Sequence, residues 1–308
     1  MTSKTEQSIM LFIFAAVMPG IAQPQNLAPA QVPELAAIRK MTYQSPRNPA
    51  LAVGVQKIQN LNYVQVLNSP GEKPKLIGLG DHPALSPNGE HILFCEVAGL
   101  GYDQLQIINA DGSDRKSFTN LKHHGFCFPQ WSPDGTEVAL SGYDRDSKAM
   151  VYVAESNGAN LRPVVEGDRP KWSSDGKRLV FVRRGQGTKS SIWTSNADGT
   201  NPTKITDVDS GIVNPTWLPD GHSVAFEKEL NHIMAIYQIN IDGTGLKLLE
   251  GNPQISLSFP SFSPDGNLLV TNSIPNGGKT PTILFIDLRE KKAWPVTNGS
   301  FPNVIWNR

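Results

Sequence analysis

Short apolar runs recur along the chain, each flanked by polar residues: His91-Ile-Leu-Phe-Cys95, Glu137-Val-Ala-Leu-Ser141, Arg178-Leu-Val-Phe-Val182, Ser223-Val-Ala-Phe-Glu227 and Leu268-Leu-Val-Thr-Asn272. They are too short for globular helices and carry no helical period. Such runs predict strands that are covered on both faces. Each run follows a fixed punctuation of turn residues. The segments are Pro83-Ala-Leu-Ser-Pro-Asn-Gly89, Pro129-Gln-Trp-Ser-Pro-Asp-Gly135, Pro170-Lys-Trp-Ser-Ser-Asp-Gly176, Pro215-Thr-Trp-Leu-Pro-Asp-Gly221 and Pro260-Ser-Phe-Ser-Pro-Asp-Gly266. Their leading prolines step by 46, 41, 45 and 45 residues, and a truncated copy, Pro302-Asn-Val-Ile-Trp-Asn-Arg308, follows 42 residues later. Ser-Pro-Asp-Gly suits a type I turn closed by a glycine in the left-handed region, which joins two antiparallel strands.

A second mark falls between the anchors: Ser69-Pro-Gly71, Ala110-Asp-Gly112, Ser156-Asn-Gly158, Ala197-Asp-Gly199, Ile241-Asp-Gly243 and a degenerate Arg289-Glu-Lys291. It predicts a second hairpin in each unit. Four strands in each unit, at a period near 45 residues, are the pattern of a β-propeller blade. The fold expected is therefore all-β, a six-bladed propeller of four-stranded antiparallel blades. The truncated last copy should supply the innermost strand of the first blade, whose other strands come from Leu51 to Gly80. That closes the ring and removes an open sheet edge.

The anchors resemble the repeats of TolB-like propellers, a WD-type group with a Pro-x-Trp-Ser-Pro-Asp-Gly signature, from about residue 48 to the end of the chain. The resemblance implies export to the periplasm and a scaffolding role. The namesake binds a peptidoglycan-associated lipoprotein at one face of its propeller. It also carries a folded α/β domain ahead of the propeller, where this chain has only residues 23–47. Similar repeats occur in peptidase accessory domains and in some lyases.

The start of the chain has its own pattern. Ile9 to Val17 is a continuous apolar run followed by Pro19-Gly20-Ile21-Ala22. It falls short of the roughly 20 residues a membrane-spanning helix needs. With small Gly20 and Ala22 at the −3 and −1 positions it reads as a signal peptide over residues 1–22. Lys4 is offset by Glu6, so the charged leader is weak. Residues 23–47, rich in Pro, Ala and Gln, read as a linker or strap, and residues 48–308 as the propeller. The expected location is the periplasm or the medium.

Composition narrows the partners. Lys+Arg and Asp+Glu are 28 each, so the net charge is zero. That argues against nucleic acid, which calls for a basic excess. Cys95 and Cys127 are the two cysteines. They are too few for a four-Cys zinc site, and spacing leaves both the paired and the free state open. No segment after residue 22 is long and apolar enough to span a membrane, and a monomer is expected.

A site is expected where the loops enter the inner strands, because equivalent positions there form rings at one mouth of the channel. The residue before each anchor proline gives His82, Phe128, Arg169, Asn214, Phe259 and Phe301, and the position before that contributes Asp81 and Asp168. Chemical diversity on a repeated scaffold is what a binding face looks like. The mixture of rings, cations and carboxylates suits an envelope protein or peptide. Trp131, Trp172 and Trp217 share one register and are expected to pack between blades. His123-His124 reads as a loop near the channel. Asp207-Val-Asp-Ser-Gly211 lacks the later ligands of a calcium loop. Gly277-Gly-Lys-Thr280 lacks the first glycine and the helix of a phosphate loop. No GxSxG or HExxH occurs. No catalytic residue, cofactor or metal is therefore assigned. The alternative is a hydrolase or lyase acting on cell-wall or carbohydrate substrate at the channel mouth, with Asp81, His82, His123, Asp168 and Arg169 as candidate groups.

Overall fold

The computed structural model describes residues 52–58, 61–67, 74–98, 102–119, 125–143, 148–187, 189–207, 209–275, 278, 281–298 and 300–304. The expected signal peptide, the strap and His123-His124 lie outside the described residues.

Every regular element among the described residues is a strand. Blade 1 holds β1 (Ala52–Ile58), β2 (Leu61–Leu67) and β3 (Lys75–Leu79). Blade 2 holds β4 (Asp81–Leu85), β5 (His91–Ala98), β6 (Tyr102–Asn109) and β7 (Lys116–Ser117). Blade 3 holds β8 (Cys127–Trp131), β9 (Glu137–Tyr143), β10 (Ala149–Glu155) and β11 (Arg162–Glu166). Blade 4 holds β12 (Asp168–Trp172), β13 (Arg178–Arg184), β14 (Lys189–Asn196) and β15 (Thr203–Lys204), with β16 (Asp209–Ser210) also paired to β14. Blade 5 holds β17 (Val213–Trp217), β18 (Ser223–Leu230), β19 (Ile233–Asn240) and β20 (Lys247–Glu250). Blade 6 holds β21 (Ile255–Phe262), β22 (Leu268–Pro275), β23 (Thr282–Asp287) and β24 (Lys292–Asn298).

The last strand, β25 (Ser300–Val304), pairs antiparallel with β1, Ala52 opposite Val304 and Val53 opposite Asn303. The two ends of the propeller therefore share one sheet. The first strands touch their neighbours in the closed order β4, β8, β12, β17, β21, β25 and back to β4. They line the channel, and the six-bladed ring expected from the repeat is present.

The turns follow their chemistry. Ser132 Oγ donates to Asp134 Oδ1 at 2.6 Å and accepts the Glu137 amide at 2.9 Å. Ser86 with Asn88, Ser173 with Asp175, and Ser263 with Asp265 repeat the pattern. Blade 5 has Leu218 in place of the serine, and there Asp220 Oδ1 takes the amides of His222 and Ser223 instead, both at 2.8 Å. The closing glycines 89, 135, 176, 221 and 266 have φ between 65° and 76°, a region open to glycine at little cost.

Packing lies between blades. Successive side chains of a strand point to opposite faces. So Val138 and Leu140 of β9 face blade 2, where they meet Leu93 and Leu105, while Ala139 faces Phe181 and Trp172 of blade 4. This explains the uninterrupted apolar runs: both faces of each central strand are covered.

The tryptophans do more than fill volume. Trp131 Nε1–H donates to the Ala84 carbonyl, Trp172 to Gln130 and Trp217 to Lys171, each at 3.2 Å. The acceptor is always the residue after the anchor proline of the preceding blade. One side chain thus packs the interface and tethers its neighbour's inner strand. Cys95 of β5 and Cys127 of β8 form a disulfide with Cα atoms 5.4 Å apart, a covalent link between blades 2 and 3.

Candidate functional site

Each inner strand from β4 to β21 carries a bulge at one place. The register slips between Asp81 and Ala84, Cys127 and Gln130, Asp168 and Lys171, Val213 and Thr216, and Ser258 and Ser261. The residue ahead of each anchor proline has positive φ: His82 51°, Phe128 53°, Arg169 56°, Asn214 50° and Phe259 56°. Side chains other than glycine rarely adopt this conformation. A bulge of this kind re-aims a side chain. Here it turns one side chain per blade toward the mouth of the channel.

These five meet in a closed circle. The His82 ring lies 4.1 Å from Phe128, centroid to centroid. The Arg169 guanidinium stands 4.4 Å above the Phe128 ring. Arg169 Nη1 donates to Asn214 Oδ1. Asn214 Nδ2 donates to Glu227 Oε1 at 2.5 Å, and the same oxygen takes the Phe259 amide at 2.6 Å. Phe259 returns to His82, edge-on at 6.3 Å. The expected ring residues of blades 2 to 6 are therefore brought together. Phe301 is the second residue of β25, and its side chain lies outside the described residues.

The two aspartates expected beside the ring are each bonded to a neighbouring side chain. Asp81 takes both side-chain N–H bonds of Asn62, at 3.0 and 2.8 Å, and so ties blade 2 to the β1–β2 hairpin. Burial raises its pKa above the usual value, and the Asn62 bonds oppose the rise. Asp168 is 1% exposed and holds Arg184 through Nε at 3.1 Å and Nη2 at 2.6 Å. Asp168 also lies 3.9 Å from Arg169 Nε of the circle.

Sequence reasoning missed Glu227, the buried acid that completes the circle. Its signal was present: Glu227 ends one of the recurring apolar runs. Cys95, Ser141, Val182 and Asn272 end the others, and each lies opposite the first residue of its blade's slipped register. From this position Ser141 Oγ accepts the Arg169 amide at 2.7 Å, across the junction of blades 3 and 4. Glu227 does the same for Phe259 across blades 5 and 6. Between blades 2 and 3 the position is Cys95, and the lock is the disulfide.

The electrostatics follow from burial. Desolvation lifts the Glu227 carboxyl to about 7, against the pull of the Phe259 amide, Asn214 and Arg169. Burial, with Arg169 and Lys171 nearby, drives His82 down to about 3, so the ring is neutral at pH 7. Lys171, whose amine donates to Gln130 Oε1 at 2.7 Å, falls to about 8 through burial. Among the described residues one group brings three ligand atoms within 4.8 Å of one another: His82, Cys95 and Cys127.

Around the circle lies an apolar rim. Leu61 is 51% exposed, Tyr143 45%, Leu230 39% and Ile274 36%. Each sits at or next to the hairpin between the second and third strands of its blade. That end of the blade is the one at which the inner strand starts.

The TolB β-propeller domain family matches residues 82–307. The chain belongs to this family. Among solved structures, this TolB-family chain is similar to TolB from Acinetobacter baumannii, at 17% identity and TM-score 0.69, over 88% of this chain and 70% of that one. A TolB assignment from Agrobacterium tumefaciens matches at 17% identity and TM-score 0.64, over 84% and 98%. Hydrazine synthase of Kuenenia stuttgartiensis matches at 13% and 0.67, over 85% of this chain and 47% of that one. At such identities these likenesses show the fold alone. Comparison with curated proteins finds no match.

Proposed function

We propose that this TolB-family propeller is an exported scaffold that binds an envelope protein or peptide at the mouth of its channel. The observation that carries the reading is the closed circle of His82, Phe128, Arg169, Asn214 and Phe259 set inside an exposed rim of Leu61, Tyr143, Leu230 and Ile274. Four of the eight exposed large apolar side chains among the described residues stand at this end of their blades, and exposed apolar surface suits a protein partner; aromatic and arginine anchors at the centre suit the core of such an interface. The rigid ring holds these anchors in place before binding, which lowers the ordering cost. Export rests on the apolar run Ile9 to Val17 and its small-residue end.

The test uses the chain from Gln23 as bait in an extract of its own cell envelope, with crosslinked proteins identified by mass spectrometry. Two control baits are Phe259→Ala with Phe301→Ala, and Leu230→Asp on the rim. An envelope protein captured by the parent and lost from both controls is expected. Capture that is equal with all three baits removes the mouth as the binding face. Capture of no envelope protein removes the scaffold reading itself.

A further inference from the structure

His82 Nδ1 lies 3.4 Å from Cys127 Sγ, and Cys95 Sγ completes a group whose three ligand atoms all fall within 4.8 Å of one another. We propose that, once the Cys95–Cys127 disulfide is reduced, these three residues form a copper(I) site that bridges blades 2 and 3. The inference does not rest on partner binding at the mouth, although His82 belongs to both.

The donor set decides the metal. Two thiolates and one imidazole nitrogen are soft and borderline ligands, suited to Cu(I) or Zn(II). Zn(II) takes four ligands, with water as the fourth where the protein supplies three, and the burial of both cysteines leaves water little access here. No fourth His, Cys, Asp or Glu joins the group among the described residues. Three donors satisfy Cu(I). Charge agrees: two thiolates with Cu(I) carry one net negative charge. Arg169 and Lys171 lie close enough to act electrostatically on His82 and favour that anion, while Asp168 acts in the opposite sense and more weakly than either.

The scaffold holds the donors in place. Cys95 sits in the middle of β5, opposite Asp81, and Cys127 opens β8. His82 is fixed by its left-handed backbone and by the Phe128 ring. Both cysteines are buried and His82 is half-buried, so water has little access to the ion. The disulfide occupies the same sulfurs, so oxidation closes the site. Reduction by a dithiol adds two electrons and two protons to the sulfur pair, and the dithiol becomes a disulfide. Binding of Cu(I) then releases both thiol protons to solvent.

The experiment takes the full propeller, reduced with a phosphine under anaerobic conditions, and titrates Cu(I) against a chromophoric cuprous chelator. Reduced protein should withdraw one Cu(I) per chain, and the oxidised form none. His82→Ala should weaken binding by about tenfold or more while both thiols remain, and Cys95→Ser should abolish it. X-ray absorption of the wild-type complex should show two sulfurs and one nitrogen around copper, a readout independent of any variant. The proposal is overturned by any of four results: reduced protein that stays folded and binds no copper, unaltered affinity in His82→Ala, a copper shell without nitrogen, or loss of the folded circular-dichroism spectrum on reduction alone.

Discussion

Glu227 Oε1 in blade 5 accepts the amide N–H of Phe259 in blade 6 at 2.6 Å, so a buried carboxyl spans a blade junction. The residue is 3% exposed, and burial raises its pKa to about 7. A folded-state value above the unfolded one means that the folded protein binds more protons between the two. This group's contribution is therefore full below pH 4.5 and is lost as pH rises through 7. Glu227→Gln keeps an oxygen acceptor and removes the titration. It should match the wild type at pH 4 and exceed it at pH 8, on the order of 2 kcal/mol, as read by urea unfolding at the two pH values.

His82 carries the opposite sign. Its folded value of about 3 lies below the ordinary 6.5, so the unfolded chain binds more protons between them. Its contribution to stability is present above pH 6.5 and is lost as pH falls toward 3. Replacement by Asn should leave stability at pH 7.5 nearly unchanged and narrow the drop in melting temperature between pH 6.5 and 4.5. A drop as steep as that of the parent would show that the imidazole is not the acid-sensitive group.

The Trp172 indole joins Gln130 across blades 3 and 4 at 3.2 Å and is 8% exposed. Trp172→Phe retains most of the apolar contact and leaves the Gln130 carbonyl without its donor. A loss of about 1–3 kcal/mol is expected. The same change at position 131 or 217 should cost a similar amount, because the geometry repeats. Chemical denaturation of the three variants compares them directly.

The Cys95–Cys127 disulfide spans a sequence separation of 32. Loop-closure entropy for that span is worth about 3–4 kcal/mol. Reduction, or paired substitution by serine, should lower the melting temperature on the order of 10 °C and leave the folded spectrum in place at 25 °C. Calorimetry with and without reductant measures it.

Ring closure rests on β25 against β1. Truncation after Asn298 removes that strand and exposes two sheet edges. Unpaired edges invite pairing with other chains. The truncated protein should elute as aggregate, or melt far below the parent. A monodisperse truncation of equal stability would contradict the shared first blade.

Much of this architecture was legible in the sequence, because a blade is a local object. Turn chemistry at Ser132 and Asp134, the left-handed glycines and the short apolar runs act over a few residues. A period near 45 then repeats one unit until the ring closes. The truncated copy at Pro302 even disclosed that the two ends share a sheet. The positions of His82, Phe128, Arg169, Asn214 and Phe259 at the mouth also followed from the repeat. What those residues do to one another did not. Their left-handed backbone is a property of the bulge, and the bulge exists only where the inner strand pairs with its neighbour in the blade. Glu227 lies 32 residues from the amide it accepts, and Cys95 lies 32 from its partner. Such partners are chosen by the ring's curvature, which sets one blade's second strand against the next blade's first. The sequence determined the blades and their number. The tertiary structure decided which side chains lock them together, and gave Asp81 and Asp168 their partners in Asn62 and Arg184.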